Sequence, residues 1–477
     1  MSAERIATDV PARADIVVIG GGPAGLAAAT EAARRGAAVV LLDEQPALGG
    51  QVYRAVEANR ARGKTLDADY AEGGRLVDAF RASGALAIHE ASVWLVEPDG
   101  TVGFSRAGAA TLMKAERVIV ATGAVERAMP IPGWTLPGVM TVGAAQILLK
   151  TAGLVPQGRV WIAGSGPLLR LYAVQALAAG GQLAGIIDTT PPGNRRAALR
   201  HMGGAMGALG ELRKGLAWTQ AIRQAGVPWI TGAHDLRAEA DDDGALGTIS
   251  FTADGARRSE PADTLLLHNG VVPNVQITRA LDIEHDWNQT QRAFRPRCDA
   301  WGSTSVPAVM IAGDGAGIVG AAASAIAGRL AALESLRALG RLDQAARDDA
   351  AAPLRRALAR ALAIRPFLDA LFAPSPEYLV PAGETIVCRC EEVTASALRQ
   401  AVSLGCLGPN QLKSFTRCGM GPCQGRICGL TVAEVIASAR GASVADVGYY
   451  RLRFPIKPLT LGELAAVHAP ADPTAPR

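Results

Sequence analysis

Six of the seven cysteines fall between positions 388 and 428, as Cys388-Arg-Cys390, then Cys406, then Cys418-Gly-Met-Gly-Pro-Cys423-Gln-Gly-Arg-Ile-Cys428. Thiolates are soft ligands, and four of them close either a structural zinc site or an iron-sulfur cluster. Structural zinc is usually held by Cys-x-x-Cys knuckles, a spacing that neither Cys388/Cys390 nor Cys418/Cys423 has. The glycines between Cys418 and Cys423 let backbone amides face the sulfurs, and such hydrogen bonds tune the potential of a cluster. Iron-sulfur chemistry, and hence one-electron transfer, is the expectation. Cys423 and Cys428 repeat the four-residue gap of Cys418 and Cys423, so either neighbouring pair could complete the site begun by Cys388 and Cys390. Cys406, at an apolar helix end, and Cys298 read as packing residues.

Other elements must deliver electrons to such a centre. Ile16-Val-Val-Ile19 is a β-branched run followed by Gly20-Gly-Gly22-Pro-Ala-Gly25, an Ala-rich helical stretch to Arg35, and a second apolar strand, Val39 to Leu42, ending at Asp43. Strand, glycine triplet, helix, strand and acid in that order form a dinucleotide fingerprint: Gly20 for the turn, Gly22 for approach of a pyrophosphate, Gly25 for close helix packing, Asp43 for a ribose. Gly49-Gly50-Gln51 marks a loop where backbone could approach a ligand. Two more strands run into small-residue turns, Val118 to Thr122-Gly123 and Val309 to Gly313-Asp314. The fingerprint recurs at Arg159 to Ala163, Gly164-Ser-Gly166, a helix to Ala179, and a strand ending at Asp188, with Leu169 in place of the third glycine. Asp188 suits the unphosphorylated ribose of NAD or ATP. Leu265 to Asn274 is a further strand and turn, in which His268 reads as a structural histidine. Arg195 to Arg223 reads as a long basic helical segment for packing or subunit contact, and Ala345 to Phe372 as a helical linker.

Length and composition agree. The 477 residues are enough for two or three domains, and 49% hydrophobic with 19% charged residues and 54 glycines suits an α/β protein rich in tight turns. A formal charge of +4 with scattered basic residues argues against nucleic acid as a partner. The odd, clustered cysteines fit a reducing compartment better than a disulfide framework. No continuous apolar run in Met1 to Ala14 suggests a secretory signal, and the apolar runs starting at Ile16 and Val309 carry too many glycines to read as membrane spans. A cytoplasmic protein, held at a membrane face only through partners, is expected.

The three glycine turns resemble the two-dinucleotide-binding-domain flavoproteins. That resemblance implies FAD contacts at Gly20, Gly22, Gly25, Asp43, Glu44, Gly50, Gln51, Val93, Thr122, Gly123, Gly313 and Asp314, with the Asp314 carboxylate on the flavin's ribityl chain. It makes the FAD-binding domain discontinuous, residues 1–145 and 294–345, around a second dinucleotide-binding domain at 146–293 whose candidate contacts are Gly164, Gly166 and Asp188. A helical linker, 346–383, and a tail, 451–477, flank residues 384–450, which are similar to the [2Fe-2S] module of bacterioferritin-associated ferredoxin. There the pattern is Cys-x-Cys, a helix from Thr394 to Leu404, a second cysteine pair and a closing helix from Val432 to Arg440. The ligands carried over are Cys388, Cys390, Cys418 and Cys423.

Through the closing Arg453-Phe-Pro-Ile-Lys-Pro-Leu, nearly the whole chain resembles the α subunits of multi-subunit flavin dehydrogenases, the opine and D-hydroxyproline dehydrogenases and hydrogen cyanide synthase, with heterotetrameric sarcosine oxidase more distant. The resemblance implies a hetero-oligomer in which an FAD-binding, amino-acid-oxidase-like β subunit oxidises the C-N bond of a small amine or imino acid and this chain carries the electrons. A small third subunit, FMN at a subunit interface, and NAD or ATP at the second nucleotide site belong to the same set of implied partners. The other readings of the residues are a self-sufficient NADH-dependent reductase and a structural nucleotide-binding scaffold.

Overall fold

The structure is a computed structural model, which describes residues 10–467. Residues 1–9, part of the stretch read for a signal, and 468–477 of the tail lie outside the described residues. The strand Arg13–Ile19 lies at the middle of a seven-stranded sheet. It pairs in parallel with Val39–Leu42 on one side and with the last residues of Ala109–Val120 on the other. Val309–Ile311, nearly 200 residues later, completes the parallel part by pairing with the same end of Ala109–Val120. Ser92–Val96 and Thr101–Arg106 extend the sheet with antiparallel pairing. All four residues of Val39–Leu42 are buried, as expected of a parallel strand covered on both faces. One sheet thus joins strands from the start of the chain to a strand of its second half.

Two helices cover one face, Pro23–Arg34 from the first fingerprint and Ala321–Ala338 from the second half. They touch backbone to backbone, because a Cβ on Gly328 would sit 2.0 Å from the Ala24 carbonyl oxygen. The central region builds its own parallel sheet of five strands in the order Trp229–Thr231, Gly185–Asp188, Val160–Ser165, Thr264–Asn269, Val139–Thr141, with a three-stranded antiparallel sheet beside it. Leu169 stands where a third glycine is expected and is absorbed into the core with Tyr172 and Ala173. The basic segment expected to be helical is divided into three helices, Gly193–Leu199, Met202–Met206 and Leu209–Gln224. Its glycines, Gly203, Gly204 and Gly207 among them, weaken a continuous helix.

The C-terminal module opens with a hairpin of Ile386–Cys388 and Val393–Thr394. The Thr394 hydroxyl caps the helix Ala395–Ser403 by accepting from the Ala397 N–H, as the N-cap preference predicts. A short helix, Pro409–Thr416, follows, and Gly429–Arg440 closes the module. The module does not hang free. Its core of Val387, Leu398, Leu412, Val432 and Ile436 is continuous with Val275 and Phe294 of the body. Past it, the tail crosses back over the first domain, where Ile456 is buried and donates its N–H to the Trp94 carbonyl at 3.1 Å.

Candidate functional site

The first glycine turn has the geometry its spacing requires. Gly20 takes φ +108°, and a Cβ on Gly25 would lie 1.8 Å from the Gly20 carbonyl oxygen, so only glycine lets the helix start against the strand. The Gly49-Gly50 loop closes from the other side: a Cβ on Gly50 would reach within 2.7 Å of the Gly22 Cα. Two backbone segments meeting this closely, at the N-terminus of Pro23–Arg34, make a cradle whose amide groups and helix dipole suit a pyrophosphate. The residues fit a dinucleotide.

Asp43 is 5% exposed and accepts from the Gly21 N–H and, at 2.7 Å, from the Gln45 N–H. Burial pushes its carboxyl up, opposed by those two donors. For Glu44 burial works in the same direction, yet pairing with Lys457 of the tail outweighs it and holds the carboxyl below its ordinary value. Val93 is buried in the strand beneath. The Gly123 carbonyl accepts from Asn274 at 3.0 Å, joining Thr122-Gly123 to the Pro273-Asn274 turn. One Asp314 oxygen accepts from the N–H groups of Val319 and Gly320, at 2.7 and 2.8 Å, and so anchors the start of Ala321–Ala338. Three residues absent from the sequence expectations also shape this site: Arg54, which donates to Gln51 at 2.8 Å; Lys457; and Lys150, on the far domain. Arg54, three residues after Gln51, could have been suspected, whereas Lys150 resembles any lysine in the last turn of a helix.

At the second fingerprint the ribose acid already has partners. Asp188 accepts from the Thr190 N–H at 3.0 Å and from Arg170 at 3.4 Å. The Arg170 guanidinium in turn lies 5.1 Å from the Trp229 ring and 5.0 Å from that of Phe372, which belongs to the linker. His268 is 2% exposed, with Nδ1 2.5 Å from Glu126 Oε1. Its Nε2 would lie 2.8 Å from a Cβ on Gly166. It therefore braces the second glycine turn from below.

The module brings together five of the cysteines. The sulfurs of Cys388, Cys418 and Cys428, all buried, lie within 4.8 Å of one another. Cys423 hydrogen-bonds to Cys428 and to Cys390, and Cys390 is the exposed member. Hydrogen bonds from Cys418 and Cys428 hold the Cys388 thiol down to about 2, while Cys388 pushes Cys418 up to about 12. One thiolate thus suppresses ionisation of its neighbours, and only a bound cation could make several of them thiolates together. This soft, crowded donor set fits an iron-sulfur cluster. Of the expected ligands, Cys388 and Cys418 lie in the 4.8 Å group together with Cys428, which the carried-over ligand set leaves out, while Cys390 and Cys423 neighbour each other beside it. Cys406 is buried and apart from it, its thiol 3.5 Å from the Gly408 carbonyl.

Two tyrosines support the cysteine loop. The Tyr450 hydroxyl donates to the Cys418 carbonyl at 3.1 Å and lies 3.4 Å from its sulfur, and that of Tyr449 donates to the Gly425 carbonyl at 3.3 Å. Between module and body lies a small cleft of about 20 Å³ lined by Val272, Pro273, Gln276, Phe294, Arg426 and Tyr449. Gln276 Oε1 and Arg426 Nε on its wall are buried with no hydrogen-bond partner among the described residues.

The comparisons with known proteins agree with this architecture. The family model described as Pyridine nucleotide-disulphide oxidoreductase matches residues 14–328, and that of the Sarcosine oxidase A3 domain matches residues 382–468, taking in the tail as well as the cysteine module. The chain is 45% identical to an opine oxidase subunit of Agrobacterium tumefaciens (strain Ach5), over 96% of this chain and 93% of that one. It is 32% identical to the HcnB subunit of hydrogen cyanide synthase from Pseudomonas protegens, over 93% and 96%. Among solved structures, L-proline dehydrogenase from P. horikoshii shares the fold with a TM-score of 0.69 at 18% identity, covering 95% of this chain and 79% of that one. Two nucleotide-binding folds with a cysteine module docked on them, matched over nearly the full length to such subunits, place the chain in the family of α subunits of multi-subunit flavin dehydrogenases, built on a pyridine nucleotide-disulphide oxidoreductase body.

Proposed function

We propose that the chain is the electron-transferring α subunit of a cytoplasmic FAD and [2Fe-2S] dehydrogenase, whose FAD-binding β subunit oxidises the C-N bond of a secondary amine or of an imino or amino acid, in the opine or D-hydroxyproline class. The observation that carries the reading is the convergence of five sulfurs in a module whose core is continuous with the FAD-type fold. When bound, flavin exchanges two electrons or one and the cluster exchanges one, so the pair converts hydride oxidation into single-electron transfer. Gly20, Gly22, Gly25 and Gly50 would hold the pyrophosphate, and the Asp314 carboxylate would orient the ribityl chain. Cys388 and Cys390 with two of Cys418, Cys423 and Cys428 would hold the cluster. The sequence favours Cys418 and Cys423 for the second pair, with Cys423 and Cys428 as the alternative, whereas burial beside Cys388 is shared by Cys418 and Cys428. Met420 and Ile427, 47% and 43% exposed, flank the exposed Cys390 edge and suit docking of a partner. The interface FMN and the small third subunit implied by the resemblance belong to the same proposal.

The self-sufficient NADH reductase is the weaker alternative, because Arg170 and the linker's Phe372 stand at the second ribose acid. The test is reduction of the purified chain with and without its β subunit. Flavin bleaching and a cluster signal in electron paramagnetic resonance that require both an amine substrate and the partner support the proposal. Equal bleaching by NADH alone sinks it. A chain with neither flavin absorbance nor a cluster signal is a scaffold.

A further inference from the structure

Lys150 lies in the last turn of the helix Val142–Ala152, in the central domain, yet its ammonium works on the first. It is 3% exposed and donates to the Gln51 carbonyl at 3.2 Å, the Val52 carbonyl at 2.9 Å and Gln146 Oε1 at 3.0 Å. An ammonium has three hydrogens, and all three are used on neutral oxygens. Burying such a group without a carboxylate is costly, and burial lowers its pKa to about 8, with Asp67 raising and Arg54 lowering it. A methionine could fill the volume without that cost, so the charge needs another reason.

The two carbonyls that Lys150 grips follow Gly50 directly, and Gly50 is the residue pressed against Gly22 at the pyrophosphate cradle. The grip is itself braced. Gln146 Nε2 donates to Gln175 Oε1 at 2.9 Å, and Gln175 Nε2 donates to Asp67 Oδ2 at 2.8 Å, which fixes the Gln146 oxygen facing Lys150. Asn59 donates to the Lys150 carbonyl at 2.8 Å and to the Tyr70 hydroxyl at 2.7 Å, tying the rest of the loop to the same helix.

We propose that Lys150 is a positioning residue of the first nucleotide site: from the neighbouring domain it holds the loop of residues 49–54 against Gly22, so that a dinucleotide pyrophosphate meets a cradle already closed. This rests on the reading that the first fingerprint holds FAD. The experiment compares wild type, Lys150→Met and Lys214→Met in the full chain, measuring FAD affinity by fluorescence and amide hydrogen exchange of residues 49–54 with and without FAD. Lys150→Met loses three charge-assisted bonds, two of them to the loop, so FAD binding should weaken at least about tenfold. Loop exchange should rise even without FAD. Lys214→Met removes the ion pair with Asp69 across the same two domains but leaves the grip, and should change affinity less than about threefold.

Equal losses in the two variants would make Lys150 a general interface residue and overturn the proposal, as would unchanged loop exchange in Lys150→Met. If wild type binds no FAD but loop exchange still rises in Lys150→Met, the FAD reading falls while the clamp stands. Should the methionine variant fail to fold, Lys150→Gln, which keeps two N–H donors, is read by the same criteria.

Discussion

Crowding decides the chemistry of the cysteines. Three buried sulfurs within 4.8 Å of one another repel as thiolates, so they cannot all ionise without a cation to offset the charge. Single serine substitutions distinguish the candidate pairs. With Cys418 and Cys423 as the ligands, Cys418→Ser abolishes the visible cluster absorbance and Cys428→Ser leaves it largely intact; the reverse result assigns Cys423 and Cys428, and loss in both variants assigns Cys418 and Cys428. Cys388→Ser abolishes it in every case. The clustering of the cysteines, whose sulfurs the structure brings together, could be read from residue order. The choice among the last three could not, since equal four-residue gaps carry no information on which sulfur the chain turns inward. The same limit hid Lys150: its partners are backbone carbonyls some 100 positions away, and a carbonyl has no sequence signature.

At the scale of elements, the seam between module and body is held by charge as well as by apolar packing. Arg292 donates through Nε to Glu434 Oε1 at 3.1 Å, and the Glu434 side chain is 3% exposed. Arg127, buried, donates to the carbonyls of Gln291 and Arg292 at 2.8 and 3.0 Å and fixes the turn that presents Arg292. Removing one partner of such a pair leaves a buried charge, so Arg292→Met should destabilise the chain by about 3 kcal/mol in denaturant unfolding. Adding Glu434→Leu should recover most of that loss, and strict additivity of the two substitutions would refute the coupling. Strands and helices of the two fingerprints are legible because glycine spacing and apolar runs are local signals. The docking of the module is not, because Arg292 and Glu434 look like two ordinary surface charges until the fold places them together.

Across the whole molecule, the chain passes through the first domain three times. Residues near the start build the strand and glycine turn, Val309–Ile311 and Ala321–Ala338 return to complete the sheet and cover it, and the tail crosses last with Ile456 buried against the strand of Trp94. Ile456→Ala should cost about 2 to 4 kcal/mol in unfolding free energy, as for other large-to-small changes in a core. A change within about 0.5 kcal/mol would show that the tail is only an ornament. Discontinuity itself is foreseeable from the Gly313-Asp314 turn, but the strap is not, because a single isoleucine in a proline-containing tail has no periodic pattern.

The late return of the second half also sets a timetable. The helix Ala321–Ala338 that seals the first glycine turn emerges from the ribosome some 300 residues after that turn, about 15 to 60 s later at ordinary translation rates. During that interval the side of Pro23–Arg34 that later meets Gly328 is uncovered in the nascent first half, so the growing chain is expected to be a natural client for chaperones.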